Sequence, residues 1–165
     1  MSQQMADLFK RITTGVHVIG VAAGEQHNAF TAAWVMPVSF RPLLLGLSIN
    51  PCHASYALLK AGGCFSVNVL GKDQLELAGH FGAPAETDKL AAIPWRSGKT
   101  GAPLLDSSLA RFECEVMAEY PAGDHRLVLG RVVHGELLET AREPLIYRDT
   151  ADMDGTSAIY PQGFE

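Results

Sequence analysis

Apolar and polar residues alternate over much of the chain with the period of two that a β-strand produces. The alternation is clearest over residues 110–120, where every second residue is apolar or aromatic: Ala110, Phe112, Cys114, Val116, Ala118 and Tyr120. Residues 126–138 continue in an extended pattern after a short polar turn. The pattern therefore predicts a long antiparallel hairpin with Asp124 and His125 at its tip.

A second hairpin is predicted near the start of the chain. Residues 16–23 are apolar and rich in β-branched side chains, residues 24–28 are polar and begin with glycine, and residues 29–35 again suit a strand. Pro37 and Pro42 follow. We expect both prolines to lie in a connection, because proline cannot donate a backbone hydrogen bond to a sheet.

The central part of the chain combines a strand, a helix and a second strand. Leu43–Ile49 is too short for an isolated helix and too apolar for an exposed edge, so we predict a strand buried on both faces. Asn50 is a suitable helix cap, Pro51 suits the first helical position, and Gly62-Gly63 predicts the helix end. Residues 65–70 then return to an alternating, extended pattern.

The predicted start of this helix is a candidate anion site. The backbone N–H groups of residues 51–55 would have no partner within the helix and would carry partial positive charge, which suits a phosphate or a carboxylate. Every helix has such an end, and many hold only a side-chain cap and water. The helix start alone therefore does not identify a ligand.

Helical spacing predicts three peripheral helices. Four apolar residues near the N-terminus repeat at intervals of three or four and should pack on the core: Met5, Leu8, Phe9 and Ile12. Asp73 can cap a later helix, whose apolar residues are Leu75, Leu77, Ala78 and Phe81. A third, short helix is predicted over residues 86–92.

Two remaining segments are predicted from their composition. Residues 94–103 contain glycines and a tryptophan among polar residues, which is typical of a long loop serving as a lid, a subunit contact or a solvated connection. Pro144–Arg148 is a candidate for a last short strand. Because hairpins join most of the predicted strands, the fold class is mainly β, and an antiparallel barrel with peripheral helices is favoured.

Composition narrows the possible functions. The 165 residues suit one domain over 1–165 with a sizeable core. Hydrophobic residues make up 47% and charged residues 19%, without a long apolar segment or a charged leader, so we expect a soluble, cytoplasmic chain with no membrane association. A net charge of −5 and scattered lysines and arginines argue against a nucleic-acid surface.

Cysteine and histidine positions favour neither a disulfide framework nor a metal site. Cys52, Cys64 and Cys114 are odd in number and lack short paired spacing, so we expect reduced and mostly buried thiols. The six histidines include no His-x-x-x-His pair and no carboxylate at ligand spacing. We therefore expect no metal site.

An ordered set of short motifs resembles the short-chain flavin reductases, whose fold is the FMN-binding split barrel with Greek-key connections. The matching segments, in chain order, are Thr14–Val16, Thr31–Ser39, Arg41–Leu45, Gly63–Leu70, Gly101–Asp106, Glu113-Cys114, Gly123–His125 and Pro144–Tyr147. The resemblance covers most of the chain. It implies an NAD(P)H:flavin oxidoreductase that binds FMN or FAD, takes hydride from NADH or NADPH, forms a homodimer and supplies reduced flavin to a partner monooxygenase.

The resemblance also implies the residues of the site. Four would run beside the flavin ring, namely Thr31, Ala32, Ala33 and Trp34. Four would surround the ribityl chain and phosphate, namely Ser48, Asn50, His53 and Ser55. Three would close another side, namely Asn68, Val69 and Leu70. His125, in the Gly-Asp-His motif, would lie near the nicotinamide as the catalytic residue.

Several residue roles stay open at this point. His125 is alternatively a turn residue bonded to Asp124, and Asn68 alternatively pairs with neighbouring backbone groups. Ala32 and Ala33 stand where the family often carries serine or threonine, so backbone groups would contact the ring there. The candidates for a basic group near the phosphate are Arg41, His53 and Lys60.

Alternative functions also stay open. Flavin reduction needs orientation and electrostatics from the protein more than side-chain chemistry, because the cofactor itself accepts the hydride. The same barrel serves proteins that hold FMN tightly and carry electrons without releasing it. It also resembles pyridoxamine phosphate oxidases, which would need a basic cluster that this sequence lacks, and a member that binds ligand without turnover is a third alternative.

Overall fold

The computed structural model describes residues 2–84 and 86–164. Within these residues the chain forms nine β-strands, three α-helices and two short 3₁₀ helices. The strands are β1 (His17–Ala23), β2 (Gln26–Ala32), β3 (Val35–Phe40), β4 (Leu43–Ile49), β5 (Cys64–Val69), β6 (Trp95–Ser97), β7 (Pro103–Leu105), β8 (Ala110–Ala122) and β9 (His125–Leu137). The helices are α1 (Ser2–Phe9), α2 (Ala54–Gly62) and α3 (Leu75–Gly82), and the 3₁₀ helices are Tyr147–Thr150 and Thr156–Ala158.

Seven strands form one antiparallel sheet in the order β2-β1-β5-β8-β9-β4-β3, while β6 and β7 form a separate pair. The edge strands β2 and β3 are consecutive in the chain and are separated only by Ala33 and Trp34. Because each residue spans at most about 3.6 Å, the end of β2 lies within about 11 Å of the start of β3. The two edges of the sheet therefore approach each other at this junction.

Apolar side chains from six of the sheet strands and from α2 form one buried cluster: Ile19, Val21, Phe30, Leu45, Leu47, Ile49, Leu59, Phe65, Val67, Cys114 and Val128. The seventh strand, β3, adds Val35, which packs against this cluster. A second cluster covers the other face of β1 and β2, where Phe81 of α3 packs with Val18 and Ala29. The two clusters place α2 and α3 against opposite faces of the sheet.

The predicted hairpins are confirmed. β8 and β9 pair over their whole length, and the turn between them is only Gly123-Asp124, with Gly123 at a positive φ of 64° that suits glycine. Two bulges interrupt the predicted alternation of β8, between Glu113 and Cys114 and between Val116 and Ala118. The turn of the first hairpin is shorter than expected, because β2 already begins at Gln26.

The central strand, helix and strand are also present, with one correction. β4 has the predicted bounds, and Leu44–Leu47 are buried. The helix begins at Ala54 with His53 as its cap, whereas the prediction of an Asn50 cap and a first helical Pro51 is wrong. The predicted end is confirmed, because Gly63 adopts the left-handed conformation and its N–H bonds to the Leu59 carbonyl at 2.8 Å.

The peripheral helices differ from the predictions at their ends. α1 is present but ends before Ile12, and of the four predicted apolar residues Leu8, Phe9 and Ile12 are about half exposed, at 54%, 46% and 65%. α3 follows Gln74 and lacks a side-chain cap, because Asp73 pairs instead with Arg142 at 2.7 Å. The predicted helix over 86–92 is wrong, since the chain there forms bends and turns.

Three further predictions are corrected. Pro37 lies inside β3 rather than in a connection, and it is tolerated there because β3 is an edge strand with a bulge between Pro37 and Ser39. The segment 94–103 is not one loop, because β6 and the first residue of β7 fall within it. Pro144–Arg148 makes isolated bridges at Pro144 and Ile146 and then enters a 3₁₀ helix instead of forming a strand.

Candidate functional site

The junction of β2 and β3 brings several predicted site residues together. The ring of Trp34 lies against the ring of His125, with centroids 5.2 Å apart and planes inclined at 45°. The backbone N–H of Ser48 donates to the Trp34 carbonyl at 3.0 Å. Ile49 pairs with Arg126 in the β4–β9 ladder, so Asn50 and His125 are the residues that follow and precede this pair. Strand pairing thus gathers Trp34, Ser48, Asn50 and His125 at one corner.

An apolar groove of about 280 Å³ opens at this corner. It is lined by Phe9, Ile12, Thr14, Trp34, Val35, Met36, Gly46, Ser48, Leu127, Tyr147 and Tyr160. The rings of Phe9 and Tyr160 pack together with centroids 5.2 Å apart, so α1 and the C-terminal segment form one wall. The volume is close to the lower end of the usual range for small-molecule sites, about 300 Å³. Of the predicted site residues, Trp34 and Ser48 line this groove.

Among the described residues, three buried side-chain polar atoms have no hydrogen-bond partner, and one of them belongs to a residue that lines the groove. The three atoms are Thr14 Oγ1, His17 Nδ1 and Arg126 Nε. Thr14 lines the groove, His17 pairs with Ala32 across β1 and β2, and Arg126 directly follows His125. Most buried polar groups in folded proteins have a partner. The unpaired hydroxyl of Thr14 therefore marks a position in the groove wall where a ligand could supply the missing partner.

His125 is held in a defined orientation. Its Nδ1 lies 2.7 Å from Asp124 Oδ1, and this hydrogen bond from His125 lowers the pKa of the Asp124 carboxyl. Because an ionised carboxylate can only accept, Nδ1 carries the hydrogen and Nε2 is the ring nitrogen left to contact a ligand. The side chain is 22% exposed, so the ring is accessible at the corner. Both interpretations of His125 thus coexist: it bonds to Asp124 and it faces the corner.

The start of α2 offers fewer free N–H groups than predicted. Asn50 closes a turn, because its Oδ1 accepts from Cys52 N at 2.9 Å and its carbonyl accepts from His53 N at 2.9 Å. His53 Nδ1 accepts from Ser55 N at 3.1 Å. Pro51 has no N–H, so within the segment 51–55 Ala54 is the residue whose N–H has no partner among the described residues. Binding of an anion at the start of α2 therefore requires positive charge from another part of the chain.

The side chains around this helix start are packed and paired. The His53 ring lies on Phe30 with centroids 4.4 Å apart, and Ser55 Oγ accepts from Asn28 Nδ2 at 2.8 Å. Burial, and secondly the charge of Lys89, lower the pKa of His53. His53 is therefore neutral near pH 7, with Nε2 carrying its hydrogen because Nδ1 accepts from Ser55.

Lys89 is the basic residue that the sequence reasoning missed. It is 5% exposed, and its Nζ donates to the carbonyls of Phe81 at 2.9 Å and Ala83 at 3.2 Å at the end of α3. Burial lowers its pKa, and its charge acts on His53. Of the predicted basic candidates, Lys60 is instead paired with Glu119 at 3.5 Å. The only sequence signal for Lys89 was one lysine in a turn-rich segment.

Thr31, Ala32 and Ala33 contribute their position more than their side chains. The Thr31 hydroxyl donates to the Ala78 carbonyl at 2.6 Å, so it is already used in holding α3 on β2. Ala32 packs against the first hydrophobic cluster and Ala33 against the second. The expectation that backbone groups of this segment face a ligand is unchanged.

Asn68, Val69 and Leu70 are not brought to the groove. Asn68 is fully buried, its Nδ2 donates to the carbonyls of Val18 and Pro103 at 3.0 and 3.3 Å, and its Oδ1 accepts from Leu105 N at 2.8 Å. Leu70 is fully buried in the second cluster, and none of the three lines the groove. Contact of these three residues with a ligand therefore stays a prediction, and the structure shows the amide of Asn68 bonded to the backbone of β1 and β7.

A larger groove of about 340 Å³ lies at α1 and is lined by Gln3, Asp7, Lys10, Arg11, Arg148, Ala151 and Asp152. Its charges are of mixed sign, which suits neither a flat apolar ring nor a strong anion. Within residues 2–84 and 86–164, no three His, Cys, Asp or Glu side chains are grouped to hold a metal ion. No helix in the same part of the chain has the length and apolar character to cross a membrane.

The arrangement as a whole suits binding and orientation rather than acid–base catalysis by the protein. The groove has aromatic and aliphatic walls, an oriented histidine lies at the corner, and a buried lysine at the end of α3 lowers the pKa of the α2 cap His53. Such a site can hold a flat ring at the corner and an anionic tail near Lys89.

Comparison with known proteins agrees with this geometry. The family model described as "Flavin reductase like domain" matches residues 9–155. A probable flavin reductase of Rhizobium meliloti is 34% identical over 129 residues, which are 78% of this chain but 41% of that protein. The NADH-dependent FMN reductase AsuE2 of Streptomyces nodosus subsp. asukaensis is 34% identical over 82% of this chain and 75% of its own length.

Two further proteins extend the comparison. The reductase component of 4-hydroxyphenylacetate 3-monooxygenase from Thermus thermophilus is 31% identical over 89% of this chain and 92% of its own length. The solved structure of the NADH:FAD oxidoreductase SgcE6 from Streptomyces globisporus superposes with a TM-score of 0.80 at 30% identity, covering 87% of this chain and 86% of that one.

Proposed function

The chain belongs to the flavin reductase like family, and we propose that it uses NADH or NADPH to reduce FMN or FAD. The observation that carries this proposal is the apolar groove beside Trp34 and His125, at the junction of β2 and β3. The related proteins named as NADH-dependent favour NADH as the donor.

The residues of the groove fit the ring of a flavin. Trp34 and Met36 offer apolar contact on one side, and Phe9 and Tyr160 offer aromatic contact on another. Gly46 keeps this part of β4 free of a side chain. The unpaired hydroxyl of Thr14 adds a polar group to walls that are otherwise largely apolar. A flat aromatic ring with polar atoms on its edge meets these requirements.

The phosphate of the flavin would lie between α2 and Lys89. The N–H of Ala54 has no partner among the described residues, the start of α2 carries partial positive charge, and the charge of Lys89 lowers the pKa of His53, the cap of α2. A phosphate would supply the negative charge that the buried Lys89 lacks, since no carboxylate pairs with it among the described residues.

A bound flavin supplies the atom that accepts hydride, and the residues of the chain orient the two reactants. Trp34 and His125 form the part of the groove mouth where a nicotinamide would approach. Asp124 holds the His125 ring so that Nε2 contacts the donor. The neighbouring apolar side chains exclude water from the reacting faces, which favours a close approach of the rings, at about 3 to 3.5 Å.

The reduced flavin would serve a separate oxygenase. The relative from Thermus thermophilus is named as the reductase component of a monooxygenase, and the match spans 92% of that protein. A chain of similar extent acting in the same way would release reduced flavin. The alternative is that the chain holds FMN tightly and transfers electrons to a protein partner. Measuring the dissociation rate of the flavin distinguishes this alternative from release of reduced flavin.

We also propose a homodimer and a split barrel. The β3–β4 hairpin exposes a row of apolar side chains, including Met36 at 56%, Phe40 at 94% and Leu43 at 51%. An apolar edge strand left open invites pairing with another chain, so a second copy would cover it. The two edges of the sheet approach each other at Ala33-Trp34, and all seven strands contribute to one hydrophobic cluster or pack against it. Both features support closure of residues 1–165 into one split-barrel domain.

The test is NADH oxidation by the purified protein, followed at the nicotinamide absorbance band with and without added FMN. We expect oxidation that depends on FMN, together with quenching of FMN fluorescence on binding. A protein that neither binds flavin nor accelerates NADH oxidation contradicts the proposal. A flavin that dissociates more slowly than turnover favours the electron-transfer alternative.

A further inference from the structure

Thr14 lies just before β1 in the wall of the groove. Its carbonyl accepts from the backbone N–H of Tyr147 at 2.9 Å, so its backbone position is fixed by the C-terminal segment. Trp34 and Ser48, two of the predicted cofactor residues, line the same groove. The Thr14 hydroxyl is buried and has no hydrogen-bond partner among the described residues.

Other threonine hydroxyls of the chain have partners. Thr31 donates to the Ala78 carbonyl at 2.6 Å, and Thr150 donates to the Tyr147 carbonyl at 2.7 Å. The hydroxyl of Tyr147, which also lines the groove, is used by Asp154 at 2.8 Å and Thr156 at 2.7 Å. Leaving a hydroxyl buried and unpaired opposes folding. Thr14 therefore carries a cost that a hydrogen-bonding partner, such as a ligand in the groove, would remove.

We propose that the Thr14 hydroxyl hydrogen-bonds to a carbonyl or nitrogen atom on the ring of the bound flavin. This proposal rests on the proposed function and names one more residue of the same site. A flavin ring carries its polar atoms along one edge, whereas most other residues of the groove wall are apolar and the Tyr147 hydroxyl is already paired. Thr14 thus fixes which edge of the ring faces the start of β1.

The substitution Thr14→Val tests the proposal because valine keeps the shape and removes the hydroxyl. We expect FMN and riboflavin to bind more weakly by the same factor, between about twofold and tenfold, the range that one neutral hydrogen bond contributes. The flavin-free protein should not unfold at a lower temperature, because the lost hydroxyl had no partner. Affinity is measured by fluorescence quenching, and stability by thermal unfolding without flavin.

Two variants control the experiment. Thr14→Ser restores the hydroxyl and should bind both flavins nearly as tightly as the native chain. Thr150→Val removes a hydroxyl that is paired outside the groove, so it should lower the unfolding temperature and leave flavin affinity unchanged. Native affinity in Thr14→Val, or equal weakening in Thr14→Ser, overturns the role of Thr14. Failure of the native chain to bind either flavin overturns the proposed function itself.

Discussion

Two regions of the molecule place polar side chains within apolar strands, and they differ in how those side chains are paired. Around Asn68, on β5, each end of the buried amide bonds to the protein, and Ser66 beside it donates to the Pro103 carbonyl. In the groove wall, the Thr14 hydroxyl is buried and has no hydrogen-bond partner among the described residues. The buried amide of Asn68 therefore has its hydrogen-bond partners within the protein, whereas the groove keeps a buried polar atom without one.

The difference separates two roles that look alike in the sequence. A polar residue in an apolar strand hydrogen-bonds either to other elements of the protein or to a ligand, and its side chain is buried in both cases. Asn68 joins β5 to β1 and β7, so its partners come from the fold. The groove residues lie where the two edges of the sheet approach, so fewer backbone groups are available to them. Pairing, rather than polarity, distinguishes a structural residue from a binding residue here.

The largest expected effect is a loss of stability when the hydrogen bonds around Asn68 are removed. Asn68→Ala should lower the free energy of unfolding by about 2 to 4 kcal/mol, because it leaves the buried Leu105 N–H and the Pro103 carbonyl without this partner. Urea unfolding measures this loss. The affinity of the folded variant for FMN should stay within about twofold of native. A larger decrease would correspond to the loss of a hydrogen bond between Asn68 and the flavin.

A matched control is Gln3→Ala, whose amide bonds to Asp7 at the surface and should change stability by no more than about 0.5 kcal/mol. If Asn68→Ala instead folds with native stability and loses flavin affinity, the two regions have been assigned the wrong way round.

The next effect concerns the anionic tail of the flavin. Lys89→Gln keeps donors for the carbonyls of Phe81 and Ala83 but removes the charge. Hydrogen bonds to charged groups contribute about 1.5 to 3 kcal/mol, so FMN should bind about tenfold to hundredfold more weakly. Riboflavin lacks the phosphate and should bind as it does to the native chain. Titration of both flavins by fluorescence measures the difference.

Lys60→Gln is the control for this charge, because Lys60 was a candidate from the sequence but is exposed and paired with Glu119. Its FMN affinity should be native. The opposite result, with FMN weakened by Lys60→Gln and unaffected by Lys89→Gln, places the phosphate elsewhere.

The sequence predicted the elements that depend on local patterns. The alternation over 110–120 and the glycine pair at the end of α2 each produced the expected strand pairing or helix end. Helix starts were less predictable, because Asn50 caps a turn by bonding to Cys52 and leaves His53 to cap the helix. A single asparagine satisfies either arrangement with the same kind of hydrogen bond.

The site was predictable in part for a related reason. Trp34 and His125 lie in motifs with a recognisable order, and strand pairing brings them together with Ser48. Thr14 lies in the Thr14–Val16 motif and Lys89 in the segment wrongly predicted as a helix over 86–92, and neither pattern indicated the roles proposed for their side chains. Their roles depend on which carbonyls and hydroxyls remain unpaired after folding, and that is decided by long-range packing.

The buried His17 also predicts that stability depends on pH. Burial lowers the pKa of His17 from 6.5 to about 4. Between these values the unfolded chain binds a proton that the folded chain does not, so the free energy of unfolding falls as the pH drops from 6.5 towards 4, by at most about 1.4 kcal/mol per pH unit. His17→Leu should remove this part of the slope. Urea unfolding at pH 6.5, 5.5 and 4.5 measures it, and an unchanged slope contradicts burial of a neutral His17.

The smallest expected effect is on hydride delivery at the corner. His125→Ala should slow flavin reduction by NADH about threefold to tenfold, equivalent to at most about 1.4 kcal/mol, because the role proposed for His125 is to orient the nicotinamide while the cofactor performs the chemistry. Flavin affinity should be nearly native, since Trp34 and Ser48 remain in the groove. Stopped-flow reduction at several NADH concentrations separates donor binding from hydride transfer. His134→Ala, at the other end of β9, is the control and should react at the native rate. Unchanged kinetics in His125→Ala would reduce His125 to a turn residue paired with Asp124, and the corner would then orient the donor through Trp34 alone.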